Sequence, residues 1–112
     1  MRLDAYTVVF LRRPAGAPAM SEEALAELQS RHLAFWAGLR QEGHVLVNGP
    51  FMGQPDPSLR GVAVFRTSVE EASRLAHRDP SVTAGRLVLE TFTWLVPHGA
   101  LGDRPAETVE EH

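Results

Sequence analysis

The chain has 112 residues, 44% hydrophobic and 22% charged, with a formal net charge of −3. That length suits one domain around one core, and the acidic balance argues against a nucleic-acid binder, which carries a basic stripe. The absence of cysteine and of lysine removes disulfides, thiolate nucleophiles, cysteine-ligated metals, Schiff-base catalysis and the P-loop lysine.

No apolar run reaches the roughly 20 residues of a membrane span. Asp4 interrupts the N-terminal apolar stretch, which ends at Arg12 and Arg13, so no signal peptide is expected and the cytoplasm is the default location.

Leu3 to Leu11 reads as a strand centred on Tyr6-Thr7-Val8-Val9-Phe10. Pro14, Gly16 and Pro18 then form a loop. Ser21 is a good N-cap, and Glu22 and Glu23 favour a first helical turn. The helix is predicted to run to about Gln41 and to stop at Gly43. Its apolar stripe is Leu25, Leu28, His32, Phe35 or Trp36, and Leu39. His44 to Val47 forms a second strand, Asn48 to Leu59 a Gly/Pro-rich connection, and Gly61 to Phe65 a third strand. Ser68-Val69-Glu70-Glu71 is a capping box. The helix it opens must end near Asp79, because Pro80 disfavours helical geometry before it. Gly85 opens a last strand, Arg86 to Val96. Residues 1–96 form the domain, and 97–112 read as a polar, mobile C-terminal tail.

The order is β-α-β-β-α-β. Two right-handed crossovers give a four-stranded antiparallel sheet with both helices on one face, the ferredoxin-like α+β plan. Leu3, Ala5, Val9 and Leu11 alternate with Tyr6, Val8 and Phe10, and Leu87, Leu89 and Leu95 with Val88, Phe92 and Trp94. Both faces of the first and last strands are therefore apolar, while two helices cover only one. The other face calls for a partner, most simply a second copy of the same sheet.

His32-Leu33-Ala34, followed by Gln41-Glu42-Gly43-His44-Val45-Leu46-Val47-Asn48-Gly49-Pro50, resembles the YciI-like helix-to-strand passage ending in Gly-Pro. Glu70-Glu71-Ala72, followed by Asp79-Pro80-Ser81-Val82-Thr83-Ala84-Gly85, resembles that family's second helix and Asp-Pro turn. The likeness to the YciI-like (YCII-related domain) family is collinear from about Tyr6 to Val96. It implies a ferredoxin-like fold, a dimeric α/β barrel and a His–Asp pair in a cleft, here His32 and Asp79. It also implies chemistry such as the dehydrochlorination of a hydroxylated aromatic, or the isomerase reactions of similar folds. Leu59-Arg60-Gly61-Val62 departs from many members in having no serine after the glycine, so no particular substrate carries over.

Each site residue has two readings. His32 is a core histidine held by one hydrogen bond, or a general base or acid, since an imidazole titrates near neutral pH. Asp79 is a turn-starting residue that bonds nearby amides, or the partner that orients His32. Gly49-Pro50-Phe51 is a backbone turn, or a substrate-binding lid with Phe51 as an apolar wall. The arginines nearest the cleft are candidates to hold an anionic group, but the sequence does not say which they are. His32, His77 and Asp79 offer metal-ligand chemistry, yet His77 falls off the apolar stripe, and no metal or other cofactor is expected.

The preferred reading is a small cofactor-independent enzyme of lyase or isomerase type. It would act as a homodimer on a small, aromatic or hydroxylated molecule through a His32–Asp79 proton transfer. The alternative is a non-catalytic ligand-binding or interaction module in which the pair is a polar brace.

Overall fold

The computed structural model describes residues 1–110. The elements are β1 (Arg2–Arg12), α1 (Glu22–Gln41), β2 (Val45–Pro50), β3 (Leu59–Phe65), α2 (Val69–Ala76), α3 (Pro80–Thr83), β4 (Val88–Pro97) and β5 (Glu107–Glu110). The sheet is antiparallel with the order β2-β3-β1-β4, the ferredoxin-like arrangement that the alternation of strands and helices predicts.

Local chemistry sets the helix ends. The Ser21 hydroxyl accepts the amide of Ala24 at 3.1 Å. Gly43, with φ +84°, supplies the left-handed turn that stops α1, a conformation in which a Cβ is strained. At α2 only half of the capping box forms. The Ser68 hydroxyl accepts the Glu71 amide at 3.2 Å, but the Glu71 carboxylate pairs with the charged Arg74 guanidinium instead.

Strand alternation divides the core. Val9, Leu11, Ala63 and Phe65 point toward the helices, where they meet Trp36, Leu39, Ala72, Leu75 and Ala76. Tyr6, Val8 and Val64 point to the opposite face. This division is what the two interleaved apolar sets in β1 require.

Three segments differ from the sequence expectation, the first being the stretch after Asp79, where the short helix α3 forms and the last of the expected strands, β4, begins at Val88 rather than Arg86. β2 continues through Asn48, Gly49 and Pro50. It is the edge strand, so the missing N–H of Pro50 is tolerated there, and the Phe51 amide extends the pairing to the Arg60 carbonyl at 2.9 Å. The region after Val96 is not a loose polar tail over its described length; its last two residues lie outside the described residues. β5 pairs with the first half of β1, Leu3 opposite Val109, on the edge that β3 leaves free. Asp4 anchors it. This fully buried carboxylate accepts from His98 Nδ1 at 2.7 Å, the Gly99 amide at 2.8 Å and Thr108 Oγ1 at 3.0 Å. Leu101 then packs on the Tyr6 and Val64 cluster, and its carbonyl accepts the Tyr6 hydroxyl at 3.3 Å.

The rest of the open face stays uncovered in the single chain. Val8, Phe10, Phe51, Val62, Phe92 and Trp94 line an apolar depression, with Phe92 and Trp94 48% and 44% exposed.

Candidate active site

The site lies where the middle of α1 passes over the sheet, beside the turn that joins α2 to α3. Helical spacing places His32 and Trp36 one turn apart on the same face of α1. Pro80 ends the preceding helical geometry and begins α3 with Asp79 as its N-cap, whose Oδ1 accepts the Ser81 amide at 2.9 Å. That cap fixes the carboxylate, leaving Oδ2 aimed at α1.

Oδ2 of Asp79 lies 2.7 Å from His32 Nδ1 and accepts the indole N–H of Trp36 at 2.9 Å. Asp79 is fully buried, while the His32 side chain keeps 18% of its surface exposed. A carboxylate that already receives two N–H groups acts as an acceptor toward the imidazole as well. In the neutral imidazole this places the hydrogen on Nδ1 and the lone pair on Nε2, and no hydrogen bond among the described residues engages Nε2.

The His32 ring lines a cavity of about 480 Å³. Leu25, Leu28 and Trp36 form the helix side, and Asn48, Gly49, Pro50 and Gly61 the sheet side. Leu25 is only partly buried, although it belongs to the apolar stripe, because it faces this space rather than packed core. Gly61 is there for a steric reason: a Cβ on it would meet the Gly49 carbonyl oxygen at 2.8 Å, closer than real contacts allow.

The structure thus gathers His32, Asp79, Gly49 and Pro50. Phe51, expected with them as an apolar wall, is a correction. Asn48 and Pro50 pair with Ala63 and Gly61 on the helix side, so alternation turns Phe51 the other way. It packs there on Phe10, with ring centroids 6.5 Å apart. His77 also stays apart: its Nδ1 turns back to the Ser73 carbonyl at 2.7 Å. Among the described residues no group of three His, Cys, Asp or Glu side chains is arranged to hold a metal.

Trp36 is the residue that sequence reasoning missed. It is 1% exposed and packs edge-on against Phe35 and Phe65, so it is core as expected, but its indole N–H also positions Asp79. The available signal was its i, i+4 spacing from His32.

Fold and site together define a small ferredoxin-like α+β protein with a carboxylate-backed histidine at the wall of a cleft. A sequence profile of the YCII-related domain matches residues 7–94, and the chain belongs to that family. Its fold is similar to that of 5-chloro-2-hydroxyhydroquinone dehydrochlorinase (TftG) from Burkholderia phenoliruptrix AC1100, solved in complex with 2,5-dihydroxybenzoquinone. The TM-score is 0.60 at 18% identity, covering 88% of this chain and 99% of that one. No curated protein matches the sequence. No helix among the described residues is long and apolar enough to cross a membrane.

Proposed function

We propose that the protein is a cofactor-independent enzyme of lyase or isomerase type that moves a proton on a small, ring-sized molecule. One observation carries this reading: His32 Nδ1 is held 2.7 Å from a fully buried carboxylate while the ring borders a cavity. Nε2 is the base. Asp79 fixes the tautomer and orientation of the ring and stabilises the imidazolium that forms when the proton arrives. Trp36 and the Ser81 amide hold Asp79 in place through their N–H groups.

The shared fold with a dehydrochlorinase solved with a dihydroxybenzoquinone supports a hydroxylated ring as the first substrate class to try. An elimination of that kind needs a base, as does an isomerisation that shifts a double bond. The direct test is a screen of hydroxylated and chlorinated aromatics and small lactones against the wild type and His32→Ala. Turnover that disappears with His32 is expected; turnover unchanged in His32→Ala rejects the mechanism.

Assembly belongs to the same proposal. The half-exposed Phe92 and Trp94 support a homodimer whose two sheets pack through the open face, since an apolar patch of this kind marks an interface.

The competing reading, a ligand-binding module with a structural brace, draws on the cap that Asp79 makes to α3. It predicts binding to the cleft without turnover.

A further inference from the structure

Three arginines, Arg13, Arg60 and Arg86, line the same cavity as His32, and no acidic side chain lines it. Strand register brings them together. Arg12, the last residue of β1, pairs with Leu59 of β3 on one side and with Val88 of β4 on the other. Arg13 follows that point directly, Arg60 is the next residue of β3, and Arg86 lies two residues before β4. Three positions far apart in sequence thus share one corner of the sheet.

Three arginines elsewhere have carboxylate partners, Arg2 with Glu110, Arg12 with Asp56 and Glu90, and Arg74 with Glu71, while Arg31, Arg40, Arg66, Arg78 and Arg104 form no salt bridge among the described residues and lie off this cavity. Among the described residues none of the three cavity arginines forms a salt bridge. Two are nevertheless oriented. Arg60 Nη1 donates to the Pro57 carbonyl at 3.2 Å, and Arg86 Nη1 to the Pro18 carbonyl at 2.6 Å. Each tether holds one nitrogen and leaves the remaining N–H groups of the guanidinium for another acceptor. The charges also feel one another: desolvation first, and then Arg86 and Arg60, hold the Arg13 guanidinium below the usual arginine range. A protein of net charge −3 has here gathered like charges with no acidic side chain on the cavity wall, an arrangement that an incoming anion relieves.

We propose that Arg13, Arg60 and Arg86 form an oxyanion subsite, and that the ligand of this cleft carries a carboxylate or a phosphate ester on a small, largely apolar body. The inference rests on the reading of the His32 cavity as the ligand site, and it names the substrate class for that site. The anionic group sits at the arginine corner, and the apolar body lies against Leu25, Leu28 and Trp36, beside His32. A cavity of about 480 Å³ suits a ligand of single-ring size.

Calorimetric titration with benzoate, phenyl phosphate and phenol tests this, because the ring is constant and only the polar group changes. At least one anion is expected to bind about 10-fold or more tightly than phenol, and to weaken as sodium chloride is raised. Whichever anion binds better identifies the group. Arg60→Gln and Arg13→Gln should each weaken that anion about 10-fold, the loss of a charge-assisted contact, with phenol binding unchanged. Arg13→Lys should recover only part of the loss, since it restores charge without the planar fork. Arg74→Gln, on the far helix, should change nothing. Thermal melts confirm that the variants fold. His32→Gln should still bind the anion whatever its turnover, so failure of the proton-transfer reading and failure of the anion subsite appear in different assays. Phenol binding as tightly as both anions, no binding by either anion, or full anion affinity in folded Arg60→Gln and Arg13→Gln overturns the proposal.

Discussion

Asp79 holds three donors at once, and replacing it tests how the site is built. In Asp79→Ala the Ser81 amide loses its cap, worth about 1 kcal/mol. The indole N–H of Trp36, in a residue only 1% exposed, is left without an acceptor, which costs about 1–3 kcal/mol. The third donor, His32 Nδ1, belongs to a side chain 18% exposed that can turn toward water. The expected loss is therefore about 2–4 kcal/mol, a fall in Tm of roughly 10–20 °C for a domain of this size. His32→Ala leaves Asp79 with both other donors and should lose about 1 kcal/mol. Asp79→Asn should fall between them, because Ser81 and Trp36 bond different carboxylate oxygens and the amide puts an NH2 group, a donor, in place of one of them. Thermal and urea melts of the three variants make the comparison. A His32→Ala loss as large as that of Asp79→Ala would refute the bond accounting. Stability alone cannot assign Asp79 to catalysis or to structure, since it serves α3 and Trp36 in either case. Turnover in His32 variants makes that assignment.

Gly61→Ala should destabilise the protein by about 1–3 kcal/mol and lower ligand affinity, since its Cβ would push on the Gly49 carbonyl across the β2–β3 pair; an unchanged melt would show that β2 yields freely. The C-terminal segment should be acid-labile. The Gly99 amide first, then His98 and Thr108, hold the Asp4 carboxyl below its ordinary value of 3.8, against the opposing effect of burial. Because the folded value is the lower one, its stabilisation is complete above about pH 4 and disappears as pH falls through the folded value. Hydrogen-exchange protection factors at residues 98–110, taken relative to the intrinsic rate at each pH, should fall below that pH, and should be low at pH 7 in Asp4→Asn; protection that ignores both changes rules out the anchor. Trp94→Arg should convert a dimer to a species of about the 12.3 kDa monomer mass in light scattering, and a wild type that is itself monomeric removes the sheet-to-sheet assembly.

The fold was legible because its signals are local and repeated. Ser21 and Ser68 mark helix starts, Gly43 marks a stop, and alternation in β1 separates Val9 and Leu11 from Tyr6 and Val8. β5 gave no such signal. Glu107-Thr108-Val109-Glu110 is short and polar, and what draws it to β1 is a buried carboxylate 94 positions away from its partner His98. A lone Asp4 in an apolar strand looked like an interruption, and it is the fixed point onto which the chain end closes.

The site was legible in half for a related reason. His32 stands in an apolar stripe and Asp79 in an Asp-Pro turn, and each was visible as an anomaly in its own element. What joins them is tertiary: the cap on α3 that aims one carboxylate oxygen at α1. Trp36 was hidden because one side chain does two things, filling core with its ring and holding Asp79 with its N–H. Phe51 was misread because continuing β2 to Pro50 sets the parity of every residue near it, and a single position decides between cleft and open face. The arginine corner depends on register alone. Arg13, Arg60 and Arg86 are unremarkable in sequence, in a chain whose basic side chains are all arginine. Only the pairing of Arg12 with both Leu59 and Val88 makes them neighbours, and only the absence of acidic side chains from the cavity wall makes their charge available to a ligand.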